Sequence, residues 1–161
     1  MREEHPIAPV FDGRSEILIL GSFPSVRSRE IGFFYGHPAN RFWSVTAAVR
    51  GREIPVTTDE KRAFLLSEKI ALWDVIASCD IVGSSDAHIR NAVPNDLSLI
   101  FERAPIRAVF TNGAKADALF RRFFPHPPVP ARRLPSTSPA NAAWSFERLC
   151  AAWSVIGQAG A

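Results

Sequence analysis

The sequence predicts an α/β protein, a three-layer α/β/α sandwich around a short, mainly parallel sheet of four strands. Short apolar runs alternate with helical patterns along the 161 residues, and this is the order that parallel sheets with crossover helices require. Apolar residues make up 47% of the chain, which is enough for a substantial core. No internal repeat or linker divides the sequence, so we expect one domain over residues 1–161.

Four apolar runs are predicted strands, at residues 17–20, 70–77, 108–111 and 129–134. The fourth has the weakest pattern because Pro130 and two arginines interrupt it, and proline cannot donate a hydrogen bond to a neighbouring strand. Each run is followed by a polar or turn-rich segment, GSFPS, CDIVGSSD, TNGAK and PSTSPAN. Ligands of parallel sheets bind outside the carboxyl ends of the strands, so these segments predict a site at one edge of the sheet.

Helical patterns fill most of the sequence between these runs, at residues 41–49, 57–65, 97–103, 114–124 and 142–155. The second begins with Thr57 and Glu60 in the Thr-x-x-Glu spacing of a capping box. Residues 22–40 form the longest irregular stretch of the chain. Loops of that length usually have a function.

Two interpretations of Asn40 remain open at this point. Its amide could orient a water molecule or donate to a ligand oxygen, but asparagine before a helix is also a good N-cap, and position alone favours the cap by roughly two to one. Among three consecutive aromatic residues, Phe33 and Phe34 are expected in the core, and Tyr35 is the best candidate to stack on a base. His37 fits a general acid, a phosphate contact or a structural role.

The segment RRLPSTSPAN, at residues 132–141, combines paired arginines, two prolines and three hydroxyl side chains ahead of a predicted helix. Helix N-termini attract anions, so the segment predicts a rigid phosphate-binding loop. The alternative is an ordinary Ser/Thr turn with proline on either side. The candidate phosphate contacts are Arg133, Pro135, Ser136, Thr137, Ser138, Pro139 and Asn141.

Several classes of function are disfavoured by what the sequence lacks. It has no Walker-type loop and no G-x-G-x-x-G motif, and its two cysteines, Cys79 and Cys150, cannot supply the thiolate set of a zinc or iron–sulfur site. We therefore expect no metal and no cofactor. Residues 1–13 contain no long apolar run, so we expect a cytoplasmic protein with no membrane partner.

Charge favours an anionic partner, because the sequence pI is about 9.3 and arginine guanidinium groups match phosphate oxygens. Ser84–Asp86 and His88 are polar residues whose sequence context gives weaker evidence of a functional role. Asp74 lies inside an apolar run, where a carboxylate needs a partner.

Three motifs together carry a family resemblance. GSFPS after the first strand, HPANRFW at the next helix and LPSTSPAN near the end resemble motifs of the uracil-DNA glycosylase superfamily. HPANRFW is similar to the mismatch-specific uracil-DNA glycosylase branch. The full set, which includes FTNGAKA at residues 110–116, is most similar to the DNA-deoxyinosine (hypoxanthine-DNA) glycosylase branch. The resemblance covers residues 16–153.

The resemblance implies a three-layer α/β/α fold and hydrolysis of the N-glycosidic bond of a deaminated base flipped out of DNA, without metal or organic cofactor. It implies that Asn40 is the catalytic residue and that the 133–141 loop contacts DNA. The residues that it implies for base binding are Gly21, Ser22, Phe23, Tyr35, His37 and Asn112.

Two positions depart from the wider superfamily. Phe23 stands where most branches place the Asp or Asn that handles the attacking water, and Leu134 stands where the best-known uracil branch has His. The deoxyinosine branch shares the first substitution and uses the Asn of its HPxN motif, here Asn40.

From the resemblance we expect a monomeric, monofunctional glycosylase of base excision repair that acts at the bacterial nucleoid. Hypoxanthine is the preferred base, and uracil or xanthine are further substrates. The alternatives are a mismatch-specific uracil-DNA glycosylase, an inactive damaged-DNA-binding domain, which Phe23 motivates, and an unrelated α/β domain that binds a small phosphorylated ligand.

Overall fold

A parallel sheet forms the centre of the computed structural model, which describes residues 2–80 and 89–159. The strands are β1 (Arg2–Glu4), β2 (Ile17–Gly21), β3 (Ile70–Asp74), β4 (Ile76–Asp80), β5 (Arg90–Pro94), β6 (Ala108–Asn112) and β7 (Ala131–Leu134). The central sheet has the order β3-β2-β6-β7, and every neighbouring pair in it is parallel. The prediction of a four-stranded parallel sheet is therefore confirmed.

Helices cover the central sheet. They are α1 (Val26–Ile31), α2 (Phe42–Arg50), α3 (Thr58–Ser67), α4 (Ser98–Arg103), α5 (Ala114–Phe123), α6 (Phe146–Trp153) and α7 (Val155–Ala159). Helix α3 packs on β3, α5 packs on β6 and β7, and α2 packs against α6 and α7. All residues of β2 and β3 are buried, as expected for strands covered on both faces. This is the predicted three-layer sandwich.

The predicted strand at residues 70–77 is wrong in one respect, because the chain bends at Val75. The Val75 N–H donates to the carbonyl of Gly21 (2.9 Å), and the Ile76 N–H donates to the carbonyl of Ser22 (3.1 Å). Beyond the bend, β4 joins a second, antiparallel sheet of order β1-β4-β5. The sequence did not predict this sheet, since the residues stay apolar through the bend and no change of period marks it.

Three other boundaries differ from the prediction. The last helical pattern begins at Phe146 and not at residue 142, because the Ser145 hydroxyl caps α6 by accepting from the Arg148 N–H. A short 3-10 helix, Pro139–Asn141, precedes it. The fourth strand begins at Ala131, after Pro130. The stretch at residues 22–40 is not irregular throughout, because it contains α1.

The remaining helices lie close to their predicted positions, and the capping box is present. The Thr57 hydroxyl accepts from the Glu60 N–H (3.0 Å), and the Glu60 carboxylate accepts from the Thr57 N–H (2.8 Å). Ser84–Asp86 and His88 lie outside the described residues. Within the described ranges, no helix is long and apolar enough to cross a membrane.

The N-terminal segment, residues 2–10, runs along the edge formed by β3 and β4. Strand β1 pairs with β4, and the His5 N–H donates to the carbonyl of Ala77 (2.7 Å). Val10 and Leu72 exchange two backbone hydrogen bonds (3.0 and 2.9 Å). These contacts place His5 beside the carboxyl end of β3.

Candidate active site

A cleft of about 910 Å³ opens at the carboxyl edge of the parallel sheet. The last residue of each of the four strands lines it. These residues are Gly21, Asp74, Asn112 and Leu134. Asn40, the base-binding candidates and the phosphate-binding candidates of the 133–141 loop also line this cleft. The topology therefore brings together all the site residues named from the sequence.

The Asn40 side chain bonds to the start of helix α2 and also lines the cleft. Its Oδ1 accepts from the N–H of Phe42, the first residue of α2 (2.9 Å). Arg41 is the N-cap residue of α2 and its side chain makes no capping hydrogen bond, so the predicted N-cap lies one residue too early, although the Asn40 side chain still pairs with a free N–H of the first turn. No described residue accepts from the Asn40 NH2 group. The bond to Phe42 fixes the orientation of the amide and leaves its donor for a ligand.

His37 shapes the turn that presents Asn40. The His37 side chain is exposed, its Nδ1 accepts from the Ala39 N–H (3.0 Å), and its carbonyl accepts from the Asn40 N–H (3.0 Å). These bonds give His37 a structural role, and its roles as a general acid or a phosphate contact stay predictions.

Tyr35 stacks on Phe42, with ring centroids 4.1 Å apart and an interplanar angle of 16°. Its backbone adopts a φ of 51°, a left-handed conformation that non-glycine residues seldom adopt. Phe33 and Phe34 are buried in the core as predicted. The Tyr35 hydroxyl accepts from Asn112 Nδ2 (3.2 Å), which ties the aromatic platform to the end of β6.

Asn112 joins the strand edge to the candidate DNA loop. Its Oδ1 accepts from the Thr137 N–H (3.0 Å), and its Nδ2 donates to the Thr137 hydroxyl (3.0 Å) as well as to Tyr35. Both polar atoms of the Asn112 amide are therefore engaged within the protein. In this structure Asn112 positions Tyr35 and the loop, and Thr137 is a buried anchor of that loop.

Further hydrogen bonds hold the loop, residues 135–141, in one conformation. The Arg41 guanidinium donates to the carbonyls of Trp144 and Asn141, and the Arg41 N–H donates to the carbonyl of Thr137 (3.1 Å). The Trp153 indole donates to the carbonyl of Pro135 (2.9 Å). Sequence reasoning missed Arg41 as a positioning residue, although the HPANRFW block contains it.

The loop hydroxyls accept from two of the loop's own backbone N–H groups, which are therefore not available to an anion. The Ser136 hydroxyl accepts from the Ser138 N–H (3.1 Å), and the Ser138 hydroxyl accepts from the Ala140 N–H (3.2 Å). The Asn141 amide donates to the carbonyl of Ser136 (2.9 Å). Anion contacts at the tip would therefore come from hydroxyl hydrogens and from the exposed Arg133.

The two atypical motif positions form apolar walls of the cleft. Phe23 and Leu134 are buried and line the cleft. Neither side chain can position water or donate to a departing base oxygen. Gly113, at the start of α5, has a φ of 100°, and a Cβ there would lie 3.0 Å from Ser136 Cβ. Glycine thus allows the loop to pack closely on the end of β6.

The structure also reveals a buried histidine–aspartate pair that the sequence analysis did not assemble. His5 Nε2 lies 2.8 Å from Asp74 Oδ2, and Asp74 lines the cleft. The sequence indicated that Asp74 needed a partner, but His5 is 69 positions away, so no local pattern identified it. Among the described residues, no group of His, Cys, Asp and Glu side chains has the arrangement of a metal site.

The fold and the cleft together define an α/β DNA glycosylase of the uracil-DNA glycosylase superfamily. A similar solved structure is the solution NMR structure of a candidate uracil DNA glycosylase from Methanosarcina acetivorans. It superposes with a TM-score of 0.85 at 31% identity over 100% of both chains. No protein-family model matches the sequence.

Two curated relatives refine the assignment. A hypoxanthine DNA glycosylase of Methanosarcina acetivorans is 36% identical over 144 residues, which cover 86% of this chain and 89% of the relative. A hypoxanthine DNA glycosylase of Methanosarcina barkeri is 36% identical over 110 residues, which cover 67% of this chain and 70% of the relative. The chain belongs to the hypoxanthine DNA glycosylase family.

Proposed function

We propose that this protein hydrolyses the N-glycosidic bond of hypoxanthine in DNA and leaves an abasic site. Two relatives that are 36% identical to it over the aligned 110 and 144 residues bear that activity in their names. The observation that carries the proposal is the Asn40 amide, which lines the cleft and is held by its hydrogen bond to Phe42; the family resemblance implies a catalytic role for this residue. Hydrolysis inside a base stack requires the nucleotide to be flipped out.

The flipped base enters the cleft and stacks on the Tyr35 ring, which Phe42 supports on its other face. Asn112 fixes the Tyr35 hydroxyl, so the platform is already in place before DNA binds. A preformed platform lowers the entropy lost on binding and aligns the base for cleavage. The rigid loop at residues 135–141 holds the flanking phosphates and fills the space that the base has left.

Asn40 stabilises the departing base. Cleavage leaves negative charge on the base and positive charge on the sugar, and the Asn40 NH2 group donates to the base as its charge develops. A donor fixed before the reaction costs no reorganisation in the transition state. The DNA phosphates stabilise the sugar cation, water adds to C1′, and the proton that the water loses neutralises the base anion.

The reaction stops at the abasic site. A glycosylase that also cuts the strand uses an amine nucleophile to form a Schiff base with C1′. No lysine among the described residues lines the cleft. We therefore propose a monofunctional enzyme that acts on DNA as a monomer in the cytoplasm.

The test is base release from labelled duplexes that each contain one hypoxanthine, uracil or xanthine, followed by alkali to cut abasic sites. Wild type, Asn40→Ala and Asn40→Asp are compared. Aspartate keeps the capping oxygen but lacks the NH2 donor, so we expect both variants to lose at least about 100-fold in rate. Full activity of Asn40→Asp would instead assign the role to the side-chain oxygen, which would then orient water.

Uracil is the second candidate substrate. The similar solved structure is described as a candidate uracil DNA glycosylase, and uracil shares with hypoxanthine a carbonyl next to a ring N–H. Release of uracil without release of hypoxanthine would make uracil the principal substrate. Tight DNA binding without release of any base would support an inactive damaged-DNA-binding domain.

A further inference from the structure

Asp74, which is paired with His5, forms part of the lining of the cleft. The two side chains are 2% and 5% exposed, and Asp74 belongs to the cleft lining. A buried carboxylate is costly unless hydrogen bonds compensate it. The mechanism proposed above makes no use of this pair, so its position in the cleft calls for an explanation.

Hydrogen bonds determine which residue is the donor in the His5–Asp74 pair. His5 Nδ1 accepts from the Ile7 N–H (3.1 Å), so this nitrogen carries no proton. The proton therefore lies on His5 Nε2, which donates to Asp74 Oδ2 (2.8 Å). Neutral imidazole has one donor and one acceptor, and both are now assigned. Asp74 is consequently the acceptor of the pair, with Oδ2 committed to His5.

The second carboxylate oxygen, Asp74 Oδ1, faces the end of β2. A Cβ added to Gly21 would collide with this oxygen and would lie 3.0 Å from the Tyr35 hydroxyl. No residue within the described ranges donates a hydrogen bond to Oδ1. The absence of a side chain at Gly21 thus leaves a strong acceptor exposed to the deep end of the cleft.

The depth of Asp74 in the cleft indicates which part of a flipped nucleotide its Oδ1 contacts. Asp74 is 4% exposed, whereas Asn40 and Tyr35 are only half-buried. A flipped nucleotide stays tied to its strand through the sugar, so the sugar remains near the mouth. The base edge farthest from the glycosidic bond enters deepest. In hypoxanthine that edge carries the ring N1–H and the adjacent carbonyl.

We propose that Asp74, held by His5, reads the ring N–H that distinguishes a deaminated base. This proposal rests on the proposed function. Hypoxanthine presents N1–H to Asp74 Oδ1, whereas adenine presents a lone pair at N1, which a carboxylate repels. A site with a buried polar group strongly rejects an analogue that cannot pair with it. His5 is a positioning residue, because it acts through Asp74.

The packing around His5 gives a reason for Phe23. The Phe23 ring meets the imidazole edge-on, with centroids 5.9 Å apart and an interplanar angle of 90°. Phe34 and Trp73 also pack around His5. The aromatic residue at this motif position therefore helps to hold the histidine in place, in a position where other branches of the superfamily handle water.

The experiment compares hypoxanthine with N1-methylhypoxanthine in otherwise identical duplexes. Wild type should prefer hypoxanthine by at least about 100-fold, because the methyl group removes the N–H and occupies its space. Asp74→Ala should reduce this preference to within about threefold, since it removes the acceptor and makes room for the methyl group. Retention of the full preference in Asp74→Ala would overturn the proposal.

His5 variants test positioning separately from stability. His5→Ala should lower the preference for hypoxanthine, and His5→Gln should restore part of it, because the glutamine amide can donate to Asp74. Asp117→Asn is the matched control. Asp117 is also a buried carboxylate, bonded to Thr111 (2.9 Å) and Arg121 (2.8 Å), but it does not line the cleft. A loss of preference in this control would overturn the proposal.

A second variant covers the case in which Asp74→Ala fails to fold. Asp74→Asn has nearly the same shape, and the proton on His5 Nε2 turns the amide oxygen towards His5. The NH2 group then replaces Oδ1, so the cleft presents a donor to N1–H and the preference for hypoxanthine should disappear. If turnover is too slow, the affinity ratio for duplexes carrying the two bases on a non-cleavable 2′-fluoroarabinose sugar gives the same readout.

Different results would overturn the proposed substrate and the proposed role of Asp74. If wild type releases uracil and no hypoxanthine, the substrate proposal fails. The comparison of uracil with N3-methyluracil then tests whether Asp74 recognises the ring N–H. If wild type releases no base, the affinity ratios of the non-cleavable duplexes test it. Equal affinities for methylated and unmethylated bases in wild type would overturn it.

Discussion

Asn40 shows how one side chain serves both the fold and the site. Its Oδ1 takes one of the N–H groups that a helix leaves unpaired at its first turn, and this bond orients the NH2 group in the cleft. The cap and the candidate catalytic donor are therefore two ends of the same amide. Substitutions that keep one end and remove the other separate the two roles.

The stability of Asn40 variants should not follow their activity. Asn40→Ala should lower the free energy of unfolding by about 1 kcal/mol, because alanine cannot cap. Asn40→Asp should stay close to wild type, since aspartate caps equally well. Urea unfolding followed by circular dichroism measures both. A large loss of stability in Asn40→Asp would mean that the NH2 group has a structural partner.

Gly21→Ala should damage the site more than the fold. The added methyl group would collide with Asp74 Oδ1, so Asp74 must move away from its place in the cleft. We expect a loss of hypoxanthine release with secondary structure retained. The control is Gly13→Ala, where the nearest atom is the Arg103 carbonyl oxygen at 3.8 Å, an ordinary contact distance. Wild-type activity of Gly21→Ala would show that the carboxylate position is unimportant.

At the scale of elements, the capping box of α3 makes stability depend on pH. Hydrogen bonds from the backbone N–H groups of Thr57 and Val56 hold the pKa of Glu60 below its ordinary value of 4.5. A carboxyl group whose pKa is lowered by folding stabilises the protein above the unfolded pKa. That contribution disappears as the pH falls through the folded pKa.

Wild type should therefore be more stable than Glu60→Gln at pH 7, and the difference should vanish in acid. Glutamine keeps an accepting oxygen but not the charge, so it matches a protonated glutamate. Urea unfolding of both proteins, from pH 7 to well below pH 4.5, measures the difference. A difference that persists in acid would attribute it to side-chain shape and not to charge.

Elements with a local signal were predictable from the sequence, and elements without one were not. The parallel strands are continuous apolar runs, and α3 begins with a capping box. Helix α1 has six residues, of which Ser28 alone is buried, so it shows no apolar stripe. The bend at Val75 lies between two buried strands, so hydrophobicity continues through it without a break.

The site was predictable to the extent that motifs mark it. The motif residues lie at the strand ends and loops that form the cleft, because a parallel sheet places those ends at one edge. His5 could not be found in this way. It reaches Asp74 through the pairing of β1 with β4, a contact between distant parts of the chain that leaves no local pattern.

At the scale of the whole molecule, the formal charge of +3 is small, so the placement of arginines determines how DNA is held. Arg132 and Arg133 are consecutive residues of β7, paired with Phe110 and Thr111 of β6. Consecutive strand residues point to opposite faces. Both are exposed, but of the two Arg133 lines the cleft, beside the loop that we propose holds the flanking phosphates.

Arg133→Ala should therefore weaken DNA binding more than Arg132→Ala, although both remove one positive charge. Each phosphate contact contributes about one to the slope of log affinity against log salt concentration, so the slope should become shallower by about one in Arg133→Ala. It should stay close to wild type in Arg132→Ala. Fluorescence anisotropy with an undamaged duplex over a range of salt concentrations measures both slopes. Equal slopes in the two variants would show that the pair acts through net charge and that the cleft edge does not select a phosphate.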